Sequence, residues 1–317
     1  MTECITDPIL VSSLSRRKIQ ADFNGGKLTS DGGGLLLRQV DRRLGLIDQI
    51  NECIPDPRRP ARILHSQRTL LAQRIFALAL GYEDLNDHQR LRDDPVLQTI
   101  TERGLSDEQP LASPPTLCRL ENRVTRESLV RLARVLVEQF IASYGHTPPE
   151  ELILDFDATD DPVHGDQIGR FFHGYYQHYC FLPLYVFCGE QLLVSYLRTS
   201  KIDAAKHSRA ILKLLVTRFR QVWPQVRIIF RGDSGFCRWR LMRWCDRHDV
   251  GYILGLAQNA VLGREAERWI LRARERFEQT GVKQRLFGQF RYGAQSWDRS
   301  RRVLVKAEHL LQGPNTR

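Results

Sequence analysis

Hydrophobic and polar positions repeat with two different periods along the chain, and the change of period divides it. Up to about residue 148 the repeat is helical. Leu129, Leu132, Ala133, Leu136, Val137, Phe140 and Ile141 recur at i, i+3, i+4 and i+7, which predicts a helix over 127–144 that buries this stripe. Ser66 stands in cap position before a second helix over 67–80, apolar at Leu70, Leu71, Ile75 and Phe76 and basic at Arg68 and Arg74. The run from Thr29 to Gly34 offers a cap and a glycine turn before a helix reaching Leu44. No Lys-Ser/Thr follows those glycines, so the phosphate-loop pattern fails and a structural turn is expected. Ser113 and Pro114 open a further helix, on which Thr116, Arg119 and Arg123 fall at i, i+3 and i+7. Residues 1 to about 25 are polar and irregular, with a basic Ser15-Arg16-Arg17-Lys18 cluster, and read as a loose arm.

From residue 151 the runs are short, apolar and rich in β-branched residues. Their order, strand, strand, strand, helix, strand, helix, strand, predicts a mixed α/β sheet. The predicted organisation is a helical, DNA-binding domain over 1–148, ended by Gly145 and the Pro148-Pro149 pair, and a sheet core over 149–258. A charged helix and further strands fill 259–317.

Acids gather where the first core strand ends. Asp155 and Asp157 lie two apart after Leu152–Leu154, so they share a face, and Asp160 and Asp161 follow in the turn. Capping of that turn is the plain reading. Mutually repelling carboxylates at a strand tip also suit a hard cation. A second run, 226–230, ends in RGDSGF and presents Asp233. Because carboxyl ends of parallel strands line one crevice, Asp157 and Asp233 are expected to meet although 76 positions separate them.

Charge adds a partner to this picture. The 317-residue chain carries a formal +10, most of the excess from arginine, which favours a polyanion but also fits a merely basic surface. Lys206, Arg209, Lys213, Arg218 and Arg220 fall on a predicted helix over 203–223, capped by Asp203 and apolar at Ile211, Leu214, Leu215, Val216 and Phe219. Its basic side suits a phosphate backbone. Arg119 and Arg123 fit a recognition helix in a major groove or a solvated face equally well. Seven cysteines without a CxxC spacing argue against a disulfide framework and a zinc finger, and fit a reducing cytoplasm. No apolar run approaches the ~18 residues of a membrane span. Six aromatic residues between Phe171 and Phe181 have two uses, stacking on bases of an unpaired strand or packing a β-hairpin, the commoner of the two. His173 and His178 lie five apart, which suits neither a helix face nor a strand face, so they are not read as metal ligands.

The runs DFDATDDPVHG, RFFHGYYQHYCFLPLYVFCG and RIIFRGDSGFCRWRLMRWC resemble those of the DDE transposases of bacterial insertion sequences, specifically the thirteen-eighty group, and the likeness extends from TSDGGGLLL to SWDRSRRVLVKAEHL. The resemblance implies an RNase H-like mixed-sheet core whose Asp-Asp-Glu triad holds two Mg²⁺ ions, with Mn²⁺ as a substitute. Such a site cuts and joins double-stranded DNA at terminal inverted repeats and target, in the nucleoid-bearing cytoplasm. The first acid falls on Asp157 and the second on Asp233, with Asp155 as a neighbouring metal ligand or alternative first acid. The family's glutamate follows a β-rich insertion and is expected beyond residue 317, which implies a shortened, impaired enzyme. Glu265 and Glu267 stand where an uninterrupted core would carry that acid, but read as surface residues partnered by Arg264, Arg268 and Arg272. Ile168 occupies a position where related sequences carry an acid. A catalytically inactive DNA-binding fragment and a hydrolytic nuclease are the competing readings. Such enzymes commonly work as homodimers, though nothing in the sequence fixes an interface.

Overall fold

The structure, a computed structural model, describes residues 9–14, 16–21, 28–102, 109–311 and 313–316. It divides into two compact units, 1–135 and 136–317. The break lies inside the helix predicted over 127–144 and not at the Pro148-Pro149 pair. Val135 of that helix joins the core of the first unit, whereas Val137 and Phe140 join the core of the second.

In the first unit, β1 (Ile9–Leu14) and β2 (Arg17–Ala21) pair as an antiparallel ribbon, with Ile9 opposite Ala21. The loose arm expected there is therefore ordered over these strands, while residues 1–8, Ser15 and 22–27 lie outside the described residues. Helices α1 (Gly34–Leu44), α2 (Leu46–Cys53), α3 (Gln67–Ala79), α4 (His88–Leu91), α5 (Pro95–Ile100), α6 (Pro114–Glu121) and the start of α7 (Arg126–Ser143) complete the unit. The Ser66 cap of α3 forms as predicted, its hydroxyl accepting from Thr69 N at 3.0 Å. At α1 the cap is Gly33, without a side-chain bond. Gly34 is buried, and a Cβ there would meet Ile100 Cδ1 at 3.1 Å, so close packing is what this glycine permits. The spacing places Leu129 inside, but it is 58% exposed; in the first turn of α7 it is Ser128, 1% exposed, that faces inward.

Gln73 sits at the centre of this unit with no exposure. Its amide donates to Ala112 O at 2.9 Å and accepts from Ala112 N at 3.0 Å, and its nitrogen lies 3.1 Å from His88 Nδ1. Both side chains are thus held inside the unit, with His88 Nε2 buried and without a partner among the described residues.

The second unit is built on a five-stranded sheet of order β10-β9-β3-β7-β8. Its strands are β3 (Glu151–Ala158), β7 (Leu184–Cys188), β8 (Gln191–Tyr196), β9 (Arg227–Gly232) and β10 (Gly251–Leu254). β3, β9 and β10 run parallel; β7 is antiparallel to β3, and β8 to β7. This is the mixed α/β sheet expected. Leu152, Leu154 and Phe156 alternate inward along β3, which leaves Ile153, Asp155 and Asp157 on the opposite face. The excursion between β3 and β7 forms its own small sheet, β4 (Asp161–Pro162), β5 (Phe171–His173) and β6 (His178–Phe181) in the order β4-β6-β5.

Helix α8 (Ser208–Val222) packs Leu212, Leu215, Val216 and Phe219 into this core. It begins five residues later than predicted. Asp203 caps a separate turn by accepting from Ala205 N at 2.9 Å, and His207, at φ 71°, breaks the backbone before the helix starts. Leu214, placed on the apolar face from its spacing, is 70% exposed. After α9 (Trp239–Arg247) and β10 comes α10 (Ala260–Thr280). It packs on a three-stranded antiparallel sheet of β11 (Gln284–Tyr292), β12 (Arg301–Leu310) and β13 (Gly313–Thr316). The β-rich region predicted after the core is thus present. Trp269 lies so close to Gly288 that a Cβ there would fall 1.8 Å from the indole.

Burial lowers the His88 pKa from the usual 6.5 to about 4. The unfolded ring takes up a proton near pH 6.5 and the folded ring only near 4, so stability present above pH 6.5 is lost as pH falls through that window. The expected loss is on the order of 2–3 kcal/mol. In His88→Gln, urea midpoints at pH 7 and pH 4.5 are expected to differ less than in the unaltered protein; an unchanged difference would rule His88 out as the cause.

Candidate active site at the carboxyl ends of β3 and β9

The parallel pairing of β3 with β9 sets the geometry. Register partners run from Glu151 and Arg227 to Phe156 and Gly232, so the next residues are Asp157 on β3 and Asp233, one past the end of β9. One step inside, Asp155 and Arg231 are partners, and the guanidinium grips both carboxylate oxygens. That contact proves that partnered side chains meet on this face. Two positions further along the same face come Asp157 and Asp233, on strands separated by about 4.8 Å.

The two pairs are in different electrostatic states. Asp155 is neutralised by Arg231. Asp157 is exposed and has no ion pair or side-chain hydrogen bond among the described residues. Asp233 is also exposed, and its backbone remains extended at φ −74°, ψ −171°. Its Oδ1 accepts only from Gly235 N, at 2.8 Å. Two carboxylates with open lone pairs suit a hard, oxygen-seeking divalent cation. Among the described residues no three His, Cys, Asp or Glu side chains converge tightly enough to form a complete cage. Glu265 and Glu267 therefore do not join the pair. Both are exposed on α10, without the arginine partners expected for them, and Arg268 instead covers the Trp269 ring at 3.8 Å.

The opposite face of the strand ends is rigid. Phe156 meets Phe230 edge-on at 4.8 Å, and Phe236, three residues past Asp233, closes the cluster at 6.3 and 6.4 Å. Each such pair contributes roughly 0.5–1.5 kcal/mol beyond its burial. Gly255, past the end of β10, donates to Gly232 O at 3.0 Å and leans on the Asp233 backbone. A Cβ at 255 would stand 2.7 Å from Ser234 N. On the open side Tyr176 donates to Ala158 O at 3.4 Å. Burial, and then the charges of Asp160, Asp157, Tyr175 and Asp233, raise its pKa and keep the hydroxyl protonated.

Arg231 and Gly255 were not singled out from the sequence, and Tyr176 entered only as one of the six aromatic residues between Phe171 and Phe181. Arg231 had a readable signal, since Asp-x-Asp at 155–157 and Arg-x-Asp at 231–233 have the same spacing at two strand ends. Gly255 had none, because its role depends on β10 lying beside β9.

The predicted cationic residues separate sharply. Arg123 lies beyond the C-cap of α6, and its guanidinium is taken by Asp56 at 3.1 Å and Gln67 Oε1 at 2.9 Å, so the stripe it formed with Arg119 is broken. Arg119 itself stays exposed. Arg68 and Arg74 are bound to Asp48 and Glu121, and Arg218 to both oxygens of Glu138. Lys206, Arg209 and Lys213 are exposed, and their side chains have no partner among the described residues. Lys206 and Arg209 line an open cleft of ≈ 530 Å³ together with Arg238, Trp239 and Arg240.

Among the described residues no helix is long and apolar enough to cross a membrane. No curated protein matches the chain. Among solved structures it is similar to the piggyBac transposase in a cryo-EM synaptic complex with hairpin DNA, at 13% identity and a TM-score of 0.37. The match covers 86% of this chain and 60% of that one, so the chain spans less than two thirds of that protein's length. The family model described as transposase DDE domain group 1 matches residues 11–317. With nearly the whole sequence inside that match, the chain belongs to the DDE transposase domain family.

Proposed function

We propose that the chain processes DNA in insertion-sequence transposition, in the manner of the thirteen-eighty group. Asp157 and Asp233 serve as the first two acids of its metal site. The observation that carries this reading is the register of β3 and β9, which brings two unneutralised carboxylates to adjacent strand ends. Asp155, held by Arg231, is a positioning residue in this reading and not a ligand. Its ion pair removes a third negative charge from the site and ties the two strands one step below the acids.

A divalent ion, Mg²⁺ or Mn²⁺, would supply Lewis-acid activation of water or a 3′-hydroxyl and stabilisation of the departing oxygen. The chain's own residues do the rest. Asp157 and Asp233 provide the oxygen donors, and the phenylalanine cluster behind them holds their spacing. Tyr176 remains a hydrogen-bond donor at the rim. Lys206, Arg209 and Lys213 are placed to neutralise duplex phosphates, with Arg119 as a further contact. Asp157 and Asp233 by themselves hold an ion loosely, since a hard divalent cation seeks more oxygen donors than two carboxylates supply. Homodimerisation belongs to the same proposal.

Asp157→Asn and Asp233→Asn are each expected to weaken Mn²⁺ binding about tenfold or more by calorimetry, because each removes a charged ligand. Gel-shift affinity for duplex DNA should be unaffected. Asp155→Asn should change Mn²⁺ binding far less; a loss equal to that of Asp157→Asn would make Asp155 a ligand and overturn the assignment. Replacing Lys206, Arg209 and Lys213 together by alanine should reduce the slope of log affinity against log salt by about three. An unaltered slope would remove α8 from the DNA interface. Gly255→Ala should displace the Asp233 backbone and lower both Mn²⁺ affinity and the thermal midpoint. Unchanged metal affinity there would mean that the strand end tolerates displacement.

A further inference from the structure

The β5–β6 hairpin has two faces that are used differently. Phe171, His173, His178 and Cys180 share one face by register. Cys180 is fully buried there, and His178 Nε2 lies 2.7 Å from Asp160 Oδ2. Phe172 and Tyr179 stand directly opposite each other on the other face, their rings edge-on at 5.6 Å. They are 54% and 49% exposed, and Tyr175 at the turn is 84% exposed. Hairpin packing, the commoner use of such rings, therefore accounts for only one face.

Two observations say what covers the outer face. The first is charge: the Arg170 guanidinium lies 4.6 Å above the outward Tyr179 ring, although it also contacts exposed Asp166. Flat rings with a guanidinium over one of them match stacked bases and their phosphates. The second is position. β4 leads out of β3 after two residues, with Asp161 opposite Phe181, and Tyr176 binds Ala158 O beside Asp157. Ser200 Oγ anchors the other side by donating to Phe171 O at 2.9 Å. The platform is thus fixed beside the acids and is not a mobile loop tip.

We infer that Phe172, Tyr175 and Tyr179, with Arg170, stack one or two unpaired bases of the DNA strand whose phosphate lies at Asp157 and Asp233. The inference rests on the DNA-processing reading above and deepens it by naming the form of the strand. A base withdrawn from its helix beside the reacting phosphate needs an aromatic surface to replace its lost stacking.

The test uses the 317-residue chain and three fluorescent probes: a 20-nucleotide single strand, a fully paired duplex, and the same duplex with a two-base bulge containing 2-aminopurine. The unaltered protein should prefer the bulged duplex to the paired one and quench the 2-aminopurine. Phe172→Ala and Tyr179→Ala should each lose about tenfold in affinity for the single strand and the bulge, together with the quench, and keep paired-duplex affinity. Phe172→Tyr should retain both. Unaltered bulge affinity in the alanine variants would overturn the stacking inference alone. An equal loss on all three probes would reassign the rings to folding or general phosphate contact and also overturn it. A shift in sedimentation without a change in DNA affinity would make the face a contact between copies of the chain. Failure of the unaltered protein to bind any of the probes would overturn the DNA-processing reading itself, and this inference with it.

Discussion

The in-register parallel pairing of β3 with β9 is the constraint on which the site depends. Side chains on a strand alternate between faces, so a slip of one residue would send Asp157 into the phenylalanine cluster and Phe156 into solvent. Two interactions oppose such a slip from opposite sides of the sheet. Behind it, Phe156, Phe230 and Phe236 interlock. In front, Arg231 binds Asp155 and leaves the next pair of acids without a counter-charge. An exposed ion pair contributes little to stability, roughly 0–1 kcal/mol. Its consequence here is positional, because it discriminates between two aspartates that are otherwise alike.

The positive charge of the chain is handled by the same selection. A net +10 spread evenly would describe a generally basic protein. Instead, many arginines are committed to internal partners: Arg68, Arg74 and Arg123 in the helical unit, and Arg218 and Arg220 on α8. What is left open on α8 and in the turn before it is a short set, Lys206, Arg209 and Lys213. A polyanion would meet these few cations, together with the arginines of the adjoining cleft, and not the average surface.

The excursion between β3 and β7 belongs to the same economy of placement. A core strand that continued straight into the next would leave the acids at a bare sheet edge. The three-stranded insert instead returns beside them, held by Tyr176 at Ala158 and by Ser200 at Phe171. Its inward histidine contacts Asp160, and its outward rings remain unpacked. Gly255 plays the complementary part behind Asp233, where only a hydrogen atom fits between two backbones.

The sequence alone determined the alternation of strands and helices from residue 151, the α3 cap at Ser66, the shared face of Asp155 and Asp157, and the family. These rest on local periodicity, on short-range hydrogen bonding and on contiguous motifs. The structure decided which aspartate is neutralised, where α8 begins, which cations stay free and which aromatic residues face solvent. Each of those outcomes depends on a partner far away in the chain, such as Arg231 for Asp155 or Asp56 for Arg123. Spacing can place a side chain on a face; only the packed chain determines what that face meets.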